Sequence, residues 1–262
     1  MARRTSNEGH EGWDEYAPFY DWENARTLGR RDVPFWRSLG LASQGLVLEL
    51  GCGTGRVAVP LGCAGVPLVG IDRSGPMLTL ARRRVARARL GGQVSLVRGD
   101  IRALPFPAAA FATVMAPYGV LQSLLRERDL AATLGAVHRV LGRGGTFGLE
   151  LVADLPSWDE YRTRLSLKGW RRRRGGVYVT LLETVRQDRA RRLTIFDQEF
   201  TERRGRQHRT RRFALTFRTL SVRQMARRLE KAGFEITALL GDYGGAPWDS
   251  RAEVWIILAR RL

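Results

Sequence analysis

The sequence predicts an α/β fold, a mostly parallel sheet covered by helices on both faces, with a smaller antiparallel sheet inserted late in the chain. Three observations lead there. Over residues 46–152, five short apolar runs alternate with stretches of helical period, the pattern of repeated strand–helix–strand units. The turn after the first run, in LELGCGTG (48–55), has glycine at every second position, Gly51, Gly53 and Gly55, as a loop does when its backbone approaches a ligand closely. Residues 166–219 then lose the helical period and read as long strands joined by tight turns.

Taken in order, residues 11–45 are aromatic-rich and read as helical. LVLEL (46–50) is a short buried strand, followed by a helix that Gly62 and Gly65 help to close, and VPLVGID (66–72) is the second strand. Ser74 is placed to cap the next helix, whose Met77, Leu80, Val85 and Ala88 lie roughly along one face. VSLVRGD (94–100) and FATVMAP (111–117) are the third and fourth strands, LAATLGAVHRVL is an amphipathic helix ended by Gly142, and TFGLELV (146–152) is the fifth strand. In the insertion, strands are expected at 177–187, 191–201 and 207–218, with turns near Asp188 and Gly205. SVRQMARRLEKAG returns to a helix stopped by Gly233, before the strands FEITALL and AEVWIILAR.

A chain of 262 residues, 44% hydrophobic with seven Trp and ten Phe, suffices for one large domain with a substantial core. No run approaches eighteen consecutive apolar residues, and the N-terminus lacks the apolar segment of a secretory signal. A bacterial-type cytoplasmic location without membrane attachment is therefore expected. Cys52 and Cys63 make neither a disulfide framework nor a CxxC pair, and no metal site is expected. The net charge of +18 rests almost wholly on arginine, since Lys168 and Lys231 are the only lysines, so compositional bias accounts for much of it. The charge is still uneven: residues 171–212 hold fourteen arginines against five acids, a patch that would attract an acidic substrate, a membrane surface or nucleic acid.

The glycine loop narrows the ligand. A dinucleotide fingerprint counted from Gly51 needs a third glycine where Arg56 stands, and the Gly-Lys-Ser/Thr ending of a phosphate-binding loop is missing. What is present is E-x-G-x-G-x-G, an acid closing the next strand (Asp72), and Gly99-Asp100 closing the third. This arrangement resembles the class I S-adenosylmethionine-dependent methyltransferases. So do RGDIRALPFPAAAFATVMAPYGVLQ, HRVLGRGGTFGLEL and LEKAGFEI, in the order that family has them. The resemblance covers about residues 46–154 and 220–262, and it implies a Rossmann-like seven-stranded sheet whose last strand is antiparallel. One departure is Ala112, where the family often has a structural aspartate.

Carried over, the resemblance implies S-adenosylmethionine as cofactor. Glu49 would hold its methionine amino group, Gly51 and Gly53 would line the methionine and ribose, and Asp72 would bind the ribose hydroxyls. Met77 would pack on the adenine, Asp100 and Ile101 would bracket its edge, and Ala116 would supply backbone near the methionine. It also implies a division into an N-terminal helical lid (1–45), a cofactor-binding core (46–155), an antiparallel insertion that caps the pocket or mediates dimerisation (156–220), and the C-terminal part of the core (221–262). The assembly is expected to be a monomer or homodimer.

The methyl acceptor is harder to read, because in-line transfer from a sulfonium asks the protein mainly for alignment and exclusion of water. The end of the fourth strand reads Ala116-Pro117-Tyr118, without the Asn/Asp-Pro-Pro motif common in nucleobase amino methylation. The lid aromatics Tyr16 and Tyr20 suit a cationic methyl donor, and Tyr20 is expected beside it. Tyr16, Tyr20, Tyr118 and His208 are the candidates for a catalytic role, while His10 lies in the N-terminal tail and His138 on an ordinary helix of the core. The expected activity is methyl transfer to N or O of a small-molecule acceptor, an acidic one if the arginines of the insertion face the pocket. An RNA methyltransferase using those arginines, with a wide cleft lined by residues 171–174, is the alternative. A noncatalytic cofactor-binding scaffold is a third reading.

Overall fold

The alternation over residues 46–152 supplies five strands of one seven-stranded sheet, and residues 234–261 supply the other two, in a computed structural model that describes residues 12–152, 161–171, 176–252 and 254–262. Two helices precede it, α1 (Trp13–Asn24) and α2 (Val33–Leu41). The chain continues through β1 (Val47–Leu50), α3 (Ala58–Cys63), β2 (Leu68–Asp72), α4 (Gly75–Arg87), β3 (Val94–Arg98), β4 (Phe111–Ala116), α5 (Glu127–Val140) and β5 (Leu141–Val152). Four long strands follow, β6 (Tyr161–Arg171), β7 (Val177–Asp188), β8 (Leu193–Arg204) and β9 (Gln207–Arg218). The chain then returns through α6 (Val222–Lys231), β10 (Phe234–Leu240) and β11 (Val254–Arg261).

The first sheet runs β10-β11-β5-β4-β1-β2-β3, with β11 antiparallel to both its neighbours and the other core pairs parallel. Strand order reverses at β1, which lies between β2 and β4, and such a switch point opens a crevice beyond the carboxyl ends of the strands. Ser74 caps α4 by accepting the Met77 N–H, and Ser221 and Gln224 form a reciprocal capping box on α6. One face of the sheet packs against α5 and α6 through residues such as Leu134, Phe147 and Met225; the other packs Trp36, Leu61 and Val85 from α2, α3 and α4. The second sheet, β6-β7-β8-β9, is antiparallel and buries its inner face against α1, where Phe19 stacks on Phe200 at 4.4 Å.

Two boundaries differ from expectation. β5 begins at Leu141 rather than 146, because Leu141 pairs with Phe111 before an irregularity carries the register past Gly142 and Gly145. β6 begins at Tyr161, earlier than the antiparallel region was expected to start, and carries register shifts between Tyr161 and Arg164 and between Leu165 and Leu167. Each shift resets the alternation that a period-of-two reading depends on. Of the sequence expectations, His10, the insertion's boundary at 155–156 and Arg172–Arg174 lie outside the described residues. Among the described residues, no helix is long and apolar enough to cross a membrane.

Candidate active site

The glycine run after β1 turns three times through left-handed backbone: φ is +61° at Gly51, +53° at Gly53 and +76° at Gly55. At Gly51 the constraint is also steric, since a Cβ there would strike Val120 Cγ2 in the segment after β4. The Gly53 N–H donates to Asp72 Oδ2 at 2.7 Å, and the Ser74 N–H donates to Oδ1 at 2.8 Å. The end of β2 and the glycine loop are thereby locked together by one carboxylate. Burial raises the Asp72 pKa, and these backbone donors oppose the rise.

A cavity of about 480 Å³ opens here, roofed by the start of α1. Tyr20, Glu49, Gly51, Gly53, Asp72 and Met77 line it, as do Asp100, Ile101 and Tyr118. Ala116 is fully buried just before the lining residues Pro117 and Tyr118. Two proposed catalytic candidates are not brought to the cavity. Tyr16 is buried in the core between α1 and the second sheet, against Phe200 and Phe213, with its hydroxyl donating to Glu23. His208 is exposed on β9 beside the β8–β9 turn and takes no part in the lining.

Glu49 is the most unusual group in the site. It is 3% exposed, and its Oε2 has no hydrogen-bond partner. Burial pushes its pKa up to about 8, even though Arg56 and a hydrogen bond from the Ala58 backbone favour the charged form. Arg56, directly after the glycine run, donates to both oxygens of fully buried Asp32, at 2.7 Å for Nη2 to Oδ2. It also lies 5.4 Å from the Tyr118 ring centroid, and its positive charge opposes the rise that burial imposes on the Tyr20 hydroxyl. Glu150, 4% exposed, accepts from the Tyr118 N–H at 2.9 Å and from the Tyr243 hydroxyl at 2.8 Å. Three buried acids, Glu49, Asp32 and Glu150, thus share the field of one guanidinium. Burial raises the Tyr20 and Tyr118 hydroxyls above their ordinary values, so both stay protonated at neutral pH.

At the far end Asp100 is already engaged. Arg102 donates to both its oxygens, at 2.7 Å for Nη2 to Oδ2, and holds the carboxyl below its usual range. Cys52 also lines the cavity, but it is packed under Gly70, and burial pushes its thiol up. The sequence reading missed Arg56, Asp32, Glu150, Tyr243 and Trp13. Only Arg56 had a local signal, its position at the end of the glycine run.

Residues 47–145 match the family model described as a methyltransferase domain. The match covers less than half of the chain. The chain's fold is that of the class I S-adenosylmethionine-dependent methyltransferases, carrying an additional four-stranded antiparallel sheet. The demethylmenaquinone methyltransferase of Lactiplantibacillus plantarum is 34% identical over 153 residues, covering 55% of this chain and 62% of that protein. The sterol 24-C-methyltransferase of Eremothecium gossypii is 28% identical over 57% of this chain and 40% of its own. The chain therefore spans between two fifths and about three fifths of these curated relatives. Among solved structures, the CcbJ methyltransferase of Streptomyces caelestis superposes with a TM-score of 0.74 at 23% identity, over 89% of this chain and 95% of that one. The sugar N-methyltransferase KedS8 of Streptoalloteichus has a TM-score of 0.74 at 16% identity, over 94% and 93%. The solved structures extend the likeness through the second sheet as a likeness of fold.

Proposed function

We propose that this protein transfers a methyl group from S-adenosylmethionine to a nitrogen of a small-molecule acceptor. The observation that carries the cofactor half is Glu49: a buried carboxylate with an unpartnered oxygen, beside a loop of three glycines in left-handed backbone, calls for a cationic ligand group. The donor set suits the cofactor throughout. Glu49 would take the ammonium, Arg56 and the Tyr20 hydroxyl the carboxylate, and Asp72 the ribose hydroxyls. Met77 and Ile101 would flank the adenine, with Asp100 and Arg102 at its edge. Bound there, the cofactor supplies a methyl group on a sulfonium leaving group. Tyr20 and Tyr118 would face that cation with their rings, while α1 excludes water.

The nitrogen half rests on the protons. The tyrosines stay protonated, and the proton acceptors among the described lining residues are carboxylates, with no histidine or lysine. A neutral amine has its lone pair ready and needs no base beforehand. Two solved relatives, described as a sugar N-methyltransferase and a glycopeptide N-methyltransferase, support the same reading. The cavity arginines, Arg56, Arg73, Arg98, Arg102 and Arg126, come from the core, and the second sheet contributes Phe217. On the sheet's outer face, Arg186 and Arg212 pair with Asp197 and Glu199, an arrangement that favours a small acceptor over RNA.

The test is incubation with methyl-labelled S-adenosylmethionine and matched panels of amino sugars and their hydroxyl analogues, read by mass spectrometry. Methylated products from amines alone are expected. Transfer confined to hydroxyls would overturn the nitrogen assignment, and failure to bind the methyl donor would overturn the cofactor.

A further inference from the structure

The segment after β4 is held in an uncommon conformation. Tyr118 has φ +55° and Gly119 φ +64°, so a bulky side chain sits in a region such residues rarely adopt. What holds it there is Glu150, at the end of β5, which accepts the Tyr118 N–H while Tyr243 occupies its other oxygen. Both oxygens of a buried carboxylate are spent on this one junction. A few residues on, Gln122 anchors the segment independently. Its amide donates to the carbonyls of Val152 and Arg218, and its oxygen accepts the Val152 N–H at 2.7 Å. Only the Tyr118 end depends on Glu150.

Tyr118 also meets α1. Its ring meets Tyr20 edge-on at 6.5 Å. The geometry points to Glu150 as a positioning residue for the roof of the cavity: by holding the Tyr118 N–H, it sets the ring that Tyr20 of α1 meets. Tyr243 keeps the carboxylate aimed, which ties the segment between β10 and β11 to the same junction. The inference rests on reading the cavity as a methyl-transfer site, but its first test needs no ligand.

The experiment uses full-length protein with 3-fluorotyrosine at its six tyrosines, with ¹⁹F resonances assigned by Tyr→Phe substitution. Glu150→Ala is expected to move the Tyr118 and Tyr20 signals and leave that of Tyr178, on the outer face of the second sheet, in place. Glu150→Gln keeps an acceptor for the N–H and is expected to restore both signals. Tyr243→Phe is expected to shift the same two by less. Should Glu150→Ala unfold the protein, the Tyr178 signal moves as well, and the Gln and Phe variants then decide. Unmoved Tyr118 and Tyr20 signals in Glu150→Ala, or Gln behaving as Ala does, would overturn the assignment. Adding S-adenosylmethionine separates this from the functional reading: a wild-type Tyr20 signal indifferent to the methyl donor would count against the cofactor alone.

Discussion

The two sides of α1 both bury carboxylates, and they treat them in opposite ways. On the side facing the second sheet, Glu23 and Glu183 are bridged by one amide: Gln198 Nε2 donates to Glu23 at 2.9 Å and to Glu183 at 2.8 Å, and Tyr16 donates to Glu23 as well. On the cavity side, Glu49 keeps an oxygen without a partner. Burial alone therefore does not mark a ligand site. The paired acids are part of the packing that seats the helix, whereas the unpaired one has been left for something that arrives.

If the first side is packing, it breaks as packing does. Phe200 is fully buried and touches Phe19, Tyr16, Trp22 and Phe213, so Phe200→Ala is expected to cost about 3–5 kcal/mol in urea denaturation. The bridged acids sharpen the contrast through pH. Burial raises Glu23 from 4.5 to about 7, so the folded state binds the proton more tightly than the unfolded chain does. Its stability is then fully present below pH 4.5 and falls as pH rises through about 7, by about 3 kcal/mol in all. Glu23→Gln should remove that slope from denaturation curves taken between pH 5 and 8.

On the cavity side the glycine loop is the sensitive element. Gly51→Ala places a side chain in left-handed backbone and against Val120, and should lower stability by about 1–2 kcal/mol from the backbone alone. Arg212→Ala removes an exposed pair with Glu199 on the outer face of the second sheet. It is expected to change stability by less than about 1 kcal/mol, which keeps the surface charge apart from both buried regions.

The contrast also explains what could be read from the sequence. Glycines at 51, 53 and 55 and acids closing β1 and β2 are local signals, because one strand–turn–helix unit generates them. Asp32, Glu150 and Tyr243 come from three distant segments to support Arg56 and Tyr118 from behind the cavity wall, and no spacing links them. Tyr16 and Tyr20 are four apart on α1, so helical spacing puts them on one side. The border between core and cavity falls between them and is drawn by Phe200 and Phe213 from β8 and β9. β6 was hidden by its own register shifts. Asp100 followed its strand as expected, but its partner Arg102 was not foreseen.

The central claim is that the glycine loop and its flanking acids hold S-adenosylmethionine. Calorimetric titration of S-adenosylmethionine into the wild type and Asp72→Ala tests it most directly. Loss of hydrogen bonds to a charged group predicts an affinity at least about tenfold weaker in the variant. Equal affinity in the two proteins would contradict the assignment.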